Sequence, residues 1–188
     1  MDLGQRDILL RFAYLLEKYK ISYLLTGSFA VAFYGYPRAT HDIDFVIEAG
    51  EKDILLFDGM FSELDSSYIV DKYQIRQAIA KSTAFNILHP QSSIKTDFWL
   101  SPSGEFKRKF QRKREILVDR QKVSLISPED LILNKLLWCK DIKSERHMRD
   151  CAGIWKVQKG NLDINYIKDW AKKLRVEELL EEIKVMDY

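Results

Sequence analysis

Cysteine is nearly absent. The 188 residues contain only Cys139 and Cys151, with no Cys-x-x-Cys pair and no cysteine–histidine cluster, so neither a disulfide framework nor a structural zinc site can be read from the chain. The two thiols are expected to be buried on helices in a reducing compartment. Histidine is also scarce: His41, His89 and His147 are far apart, and none has the spacing of a catalytic or ligating set. Charge of one sign is lacking too. With 30 basic and 28 acidic side chains the net charge is +2, so contact with a nucleic acid would need a local patch rather than a global field. Long apolar runs are missing. The uncharged stretch from Ile21 to Pro37 is 17 residues, short for a membrane span, and Thr26, Gly27, Ser28, Gly35 and Pro37 interrupt it. The first twenty residues carry charges throughout, unlike a secretory leader, and a cytoplasmic protein with no membrane segment is the expectation. No internal repeat or low-complexity linker is visible.

What is present reads as an α/β chain. Apolar residues at Ile8, Leu9, Phe12, Leu15 and Leu16 predict an amphipathic helix over 4–19. A short β-prone run, Ser22 to Leu25, leads to Gly27, and Ser28 stands where a helix N-cap belongs. "HDIDFVIE" reads as a strand. Helices are predicted over Lys52–Phe61 and Asp71–Ala80. "TAFNILHP" and "IKTDFWL" are strands fit to pair as an antiparallel hairpin, and "EILVD" and "KVSLI" form a second strand pair. Between the two pairs, Glu105–Arg114 reads as a basic helix. "SPEDLILNKLLW" opens a run of helices, with Ser127 as N-cap, Pro128 at the first helical position, and Glu129 and Asp130 at the positive end of the dipole. The expected division is a catalytic core over 1–126 with a small mixed β-sheet flanked by helices, then a helical region over 127–188.

The chemistry concentrates in "TGSFAVAFYGYPRATHDIDFVIE". On a strand, residues i and i+2 share a face, which places Asp42 beside Asp44. Adjacent carboxylates repel unless a cation sits with them, and an oxygen-only set suits Mg²⁺ or Mn²⁺. Asp97, within the apolar strand "IKTDFWL", is a third acid that is costly there unless paired or bound to a cation. Three such carboxylates on neighbouring strands can hold two ions about 3.5–4 Å apart, the arrangement used in displacements at phosphorus. The alternative is structural: Asp42 and Asp44 cap a turn, and Asp97 meets a lysine. Gly27 permits close backbone approach, and Ser28 begins a helix whose free N–H groups suit an anion.

The order Gly-Ser, helix, "RATHDIDFVI", then a later strand aspartate resembles the DNA polymerase β-type nucleotidyltransferase superfamily. "YGYPRATHDIDF" and the downstream "SPEDLILNKL" are similar to the AbiEii/MenT-like branch of abortive-infection and toxin–antitoxin nucleotidyltransferases. The resemblance covers about Ser22 to Ile154. It implies that Gly27 and Ser28 contact phosphate, Asp42 and Asp44 bind metal, and Asp97 completes a metal site and takes the acceptor's proton. It also implies that Lys135 faces the nucleotide phosphates and that Asp150, following Arg149, belongs to a later basic–acidic pair. Arg38 is either a phosphate contact or the salt-bridge partner of an acidic residue. For Lys135 the bland alternative is a solvated surface lysine.

The implied activity is transfer of an NMP from an NTP such as ATP to a hydroxyl acceptor, with Mg²⁺ or Mn²⁺ and release of pyrophosphate. The acceptor implied by the branch is tRNA or another macromolecule, as for a toxin with an antitoxin partner. An aminoglycoside- or lincosamide-type antibiotic nucleotidyltransferase is the alternative, and a non-catalytic NTP- or partner-binding module is a third reading. The segment "EFKRKFQRKREILVDRQK" has eight Lys or Arg against three acids. Phe106 and Phe110 would anchor one face while the cations of 107–114 contact an RNA backbone, an acidic partner or only solvent.

Overall fold

A computed structural model describes residues 4–186. The first helix, α1 (Gln5–Lys18), buries Ile8, Leu9, Phe12, Ala13, Leu15 and Leu16 on one face. It is followed by β1 (Tyr23–Thr26), α2 (Gly27–Tyr34) and β2 (Asp42–Ile47). A 3-10 turn at Glu51–Asp53 leads into α3 (Ile54–Ser62), and α4 (Lys72–Lys81) starts at Asp71, whose carboxylate accepts from the backbone N–H of Tyr73 and Gln74. The strands β3 (Ala84–His89) and β4 (Ile94–Leu100) pair antiparallel, as their sequences predict. The basic helix α5 (Ser103–Gln111) stops three residues short of the expected end, because Arg114 is already the first residue of β5 (Arg114–Val118). The strand β6 (Gln121–Leu125) returns antiparallel to β5 through Asp119 and Arg120, both at positive φ. Four helices follow, α6 (Pro128–Trp138), α7 (Glu145–Gln158), α8 (Ile164–Leu174) and α9 (Glu177–Val185).

The strands form one mixed six-stranded sheet in the order β3-β4-β2-β1-β6-β5. Its centre is β2, antiparallel to β1 and parallel to β4. The pleat sends Ile43, Phe45 and Ile47 to one face, where all three are fully buried. Phe45 stacks on Phe98 at 5.6 Å and Phe98 on Phe85 at 4.9 Å, while Phe12 of α1 meets Phe98 edge-on at 5.4 Å. Phe57 and Phe61 of α3 close on Phe85 from the same side. This aromatic layer fixes which face of β2 is core, and therefore that Asp42 and Asp44 lie on the other.

The chain divides into two compact units. One comprises the residues up to Gly27 with Ala39–Leu125, the other Ser28–Arg38 with the chain from Ile126 onward. The segment carrying most of α2 thus belongs with the C-terminal helices rather than with the sheet that precedes and follows it. Inside that second unit Tyr34 donates to the Ile126 carbonyl at 2.8 Å, and Gln158 donates to the Tyr34 carbonyl at 2.9 Å. A Cβ on Gly35 would come within 3.0 Å of the Ile154 backbone nitrogen, so the glycine marks a close helix approach. The acids of the "SPED" turn do more than suit a dipole. Asp130 is fully buried, accepts from its N-cap Ser127, and receives the Tyr166 hydroxyl of α8 at 2.7 Å.

Candidate active site

The site in the first unit is built by strand register. In the parallel pair of β2 and β4, Asp42 lies opposite Lys95 and Asp44 opposite Asp97. With i and i+2 on the same face, these four side chains form a square of three acids and one base on a single sheet surface. Asp97 is 9% exposed. Its Oδ2 accepts from Lys95 Nζ at 2.8 Å, and the same ammonium lies 3.7 Å from Asp42 Oδ1. The hydrogen bond that Lys95 donates to Asp97, with the charges of Asp97, Asp42 and Asp44, raises the Lys95 pKa despite partial burial. Asp97 therefore does meet a lysine. The Asp42 carboxylate faces the same lysine, and the Asp42 backbone N–H donates to Thr40 Oγ1 at 3.1 Å.

Asp44 is placed from two sides. Trp99, one strand position further along the Lys95–Asp97 face, donates its indole N–H to Asp44 Oδ1 at 3.3 Å. Across β1, Thr26 is the register partner of Asp44, and immediately after it comes Gly27 at φ 63°. A Cβ on Gly27 would lie 1.9 Å from Asp44 Oδ2 and 2.6 Å from Cγ. The glycine is needed twice, for its left-handed backbone and for the room its missing side chain gives the carboxylate. The Thr26 hydroxyl, also buried beside this square, has no hydrogen-bond partner among the described residues.

The second unit gathers the remaining predicted residues. Arg38 binds Asp150 with two hydrogen bonds, Nε to Oδ1 at 3.0 Å and Nη2 to Oδ2 at 3.2 Å. Lys135 Nζ reaches Asp150 Oδ2 at 2.9 Å and lies 3.5 Å from His147 Nδ1. Lys135 is 1% exposed, so the solvated-lysine alternative does not hold. Burial alone would raise the Asp150 pKa, yet the Arg38 guanidinium and the Lys135 ammonium together hold it below its ordinary value. Burial, then the neighbouring Lys135 charge, pushes His147 down to about 4. Ser28 opens the first segment of this unit and is 7% exposed.

Lys95 and Trp99 are the two contributors that a motif reading passes over. The signal was present, since both lie two positions from Asp97 and so share its face, but their partners on β2 follow only from register. The basic segment is less available than its composition implies. Phe106 is buried and stacks on Phe110 at 5.4 Å, as an anchor should. Lys109, however, is 5% exposed and bonds Glu105, while Lys113 reaches Glu115 at 2.9 Å and Ser124 at 3.2 Å. Lys107 and Arg114 are exposed. His89 is buried against the Tyr68 ring and bonds Ser92, and both cysteines are buried and unpaired by disulfide. Among the described residues no helix is long and apolar enough to cross a membrane.

No protein-family model matches the chain, and no curated protein matches it. Solved structures do. The antibiotic-resistance factor ANT(2'')-Ia is similar at 11% identity, covering 97% of this chain and 97% of that one, with a TM-score of 0.61. An antigenic nucleotidyltransferase-like protein from Paracoccidioides brasiliensis shares 17% identity over 95% of this chain and 91% of that one, at a TM-score of 0.56. The lincosamide antibiotic adenylyltransferase LnuA, in its lincomycin-bound form, shares 14% identity over 84% of this chain and 99% of that one, at 0.54. At such identities the likeness is one of fold. The chain has the nucleotidyltransferase fold, and the comparison does not distinguish an abortive-infection branch within it.

Proposed function

We propose that the chain is a metal-dependent nucleotidyltransferase. An acceptor hydroxyl attacks the α-phosphorus of a nucleoside triphosphate, the bond to the bridging oxygen of the β-phosphate breaks, and pyrophosphate leaves. The observation that carries this reading is the placement of Asp42, Asp44 and Asp97 on one sheet face, with Gly27 folded under Asp44. The fold shared with named nucleotidyltransferases supports it.

The donor chemistry fits Mg²⁺ or Mn²⁺, being oxygen-only and anionic. Among the described residues no three acidic, histidine or cysteine side chains converge as a ready-made metal cluster, and the positive charge at the square comes from Lys95. Asp42 and Asp44 would hold the ion, with Asp97 joining them. A divalent ion so held neutralises charge on the triphosphate and on the attacking and leaving oxygens. Asp97 is assigned the proton of the acceptor hydroxyl. Gly27 gives Asp44 its room, and α2 begins at Gly27 itself, with Ser28 in its first turn rather than at the N-cap position, where the leading N–H groups suit a phosphate oxygen. In the second unit Asp150 holds Lys135 and Arg38 in fixed positions. With Lys135 enclosed and bonded, we assign this trio to positioning rather than to direct phosphate contact.

For the acceptor, the resemblance to toxin nucleotidyltransferases favours an RNA end, and exposed Lys107 and Arg114 agree with it. The internal pairing of Lys109 and Lys113 removes two cations from that argument and brings an antibiotic hydroxyl closer to equal standing. The deciding experiment incubates the protein with each α-labelled NTP, Mg²⁺ or Mn²⁺, and in turn total RNA, total protein, an aminoglycoside and a lincosamide. Label should enter one acceptor class and depend on Asp42. NTP binding with no transfer to any acceptor would favour the non-catalytic module.

A further inference from the structure

The square on β2 and β4 contains its own cation. We infer that Lys95 is the resident counter-ion of the carboxylates, holding the place of a divalent ion when none is bound, and that it thereby sets how tightly the site takes metal. The inference rests on the nucleotidyltransferase reading for the identity of the ion, but its geometry is independent of the reaction.

Four facts carry it. Lys95 stands two residues before Asp97 on β4, hence on the same face, and opposite Asp42 in register. Its ammonium is 2.8 Å from Asp97 Oδ2 and 3.7 Å from Asp42 Oδ1, so it touches one proposed ligand and faces a second. Its side chain is 41% exposed while that of Asp97 is only 12% exposed. The ammonium can therefore leave to water by rotating its flexible stem, whereas Asp97 stays. Finally, Lys95 bonds Asp97 Oδ2, one of the two oxygens that this carboxylate can offer an ion. A metal and the ammonium thus compete for Asp97, and a lysine turns an open cluster into one that binds only after displacing a charge. Without Lys95, Asp97 would be mostly buried with no other cation paired to it among the described residues, opposite Asp44 in the ladder.

The roles separate cleanly in variants. Lys95→Met keeps the stem and removes the charge; Lys95→Arg keeps the charge. Binding of Mn²⁺ is followed by the electron paramagnetic resonance signal of the free ion, without nucleotide or acceptor, and thermal unfolding is recorded in chelator and in Mn²⁺. Lys95→Met should bind Mn²⁺ about tenfold more tightly than wild type, because a unit positive charge a few ångströms from the ion has been removed. Lys95→Arg should stay within about threefold of wild type. In chelator Lys95→Met should melt below wild type, and Mn²⁺ should raise its melting temperature by more than it raises that of wild type. If Lys95→Met binds Mn²⁺ no more tightly than wild type, or loses stability that Mn²⁺ does not restore, Lys95 is a structural pair and the inference falls alone. If neither protein binds Mn²⁺ at millimolar concentration, the metal-dependent reading falls with it. Should Lys95→Met fail to fold, Lys95→Gln carries the same comparison.

Discussion

Replacing Gly27 with alanine tests the centre of the site most directly. Two costs act. The backbone at φ 63° is left-handed, which costs an alanine about 1–2 kcal/mol relative to glycine. The new Cβ would then stand 1.9 Å from Asp44 Oδ2, 2.6 Å from Cγ and 2.9 Å from Cβ, so the carboxylate must turn away. Turning forfeits the 3.3 Å bond from Trp99, roughly 1 kcal/mol, and strains whatever movement remains. Together these give about 2–4 kcal/mol for Gly27→Ala. In an Asp44→Ala background the two nearest atoms are gone and mainly the backbone cost remains, so the same substitution should cost about 1–2 kcal/mol there. The coupling energy from the double-mutant cycle should be about 1–2 kcal/mol. Equilibrium urea unfolding of wild type, both single variants and the double variant measures it. A Gly27→Ala protein within about 0.5 kcal/mol of wild type would refute the reasoning. So would an equal penalty in both backgrounds, which would leave the backbone but not the carboxylate as its cause.

Three further outcomes are expected. Asp97→Asn should keep stability within about 1 kcal/mol, because its lysine partner is half-exposed, while nucleotidyl transfer falls at least a hundredfold, roughly the loss expected for a group acting on the reacting atoms; single-turnover transfer beside urea unfolding separates the two. Asp150→Asn should destabilise by about 3–5 kcal/mol, since it leaves Lys135 at 1% exposure without a carboxylate; the urea midpoint reports this. His147 is held neutral in the fold, with a pKa of about 4 against 6.5, facing Lys135, Arg146, Asp150 and Arg38. Its contribution is fully present above 6.5 and is lost as pH falls towards 4, where the unfolded chain takes up a proton that the fold resists. His147→Gln should flatten that limb of a stability–pH curve.

The sequence made local features legible and left register obscure. Alternation in "HDIDFVI" was enough to put Asp42 and Asp44 on one face, and the pattern "SPED" was enough to start α6 at Ser127. The helix over α1 and the two antiparallel strand pairs follow from periodicity and turn chemistry within single segments. What could not be read was which strand lies beside β2. The parallel pairing with β4 joins segments separated by two helices and a strand, and it alone puts Lys95 opposite Asp42. The same holds for Arg38 and Asp150, whose bond crosses 112 residues. The sequence leaves Arg38 as either a phosphate contact or an ion-pair partner, and its acid is in a helix whose placement no local pattern encodes. The basic segment misleads in another way. A count of cations does not show that Lys109 folds inward onto Glu105.

The turn between β5 and β6 has a consequence for handling the chain. Asp119 and Arg120 both hold positive φ, a conformation that aspartate tolerates but to which arginine is ill suited. Asparagine and glycine adopt it with less strain. The hairpin therefore carries a reserve of unclaimed stability at a place remote in register from the carboxylates. An Asn-Gly pair at 119–120 would relieve the strain, and would offer a firmer background in which costly substitutions at the acidic square can be carried and still fold.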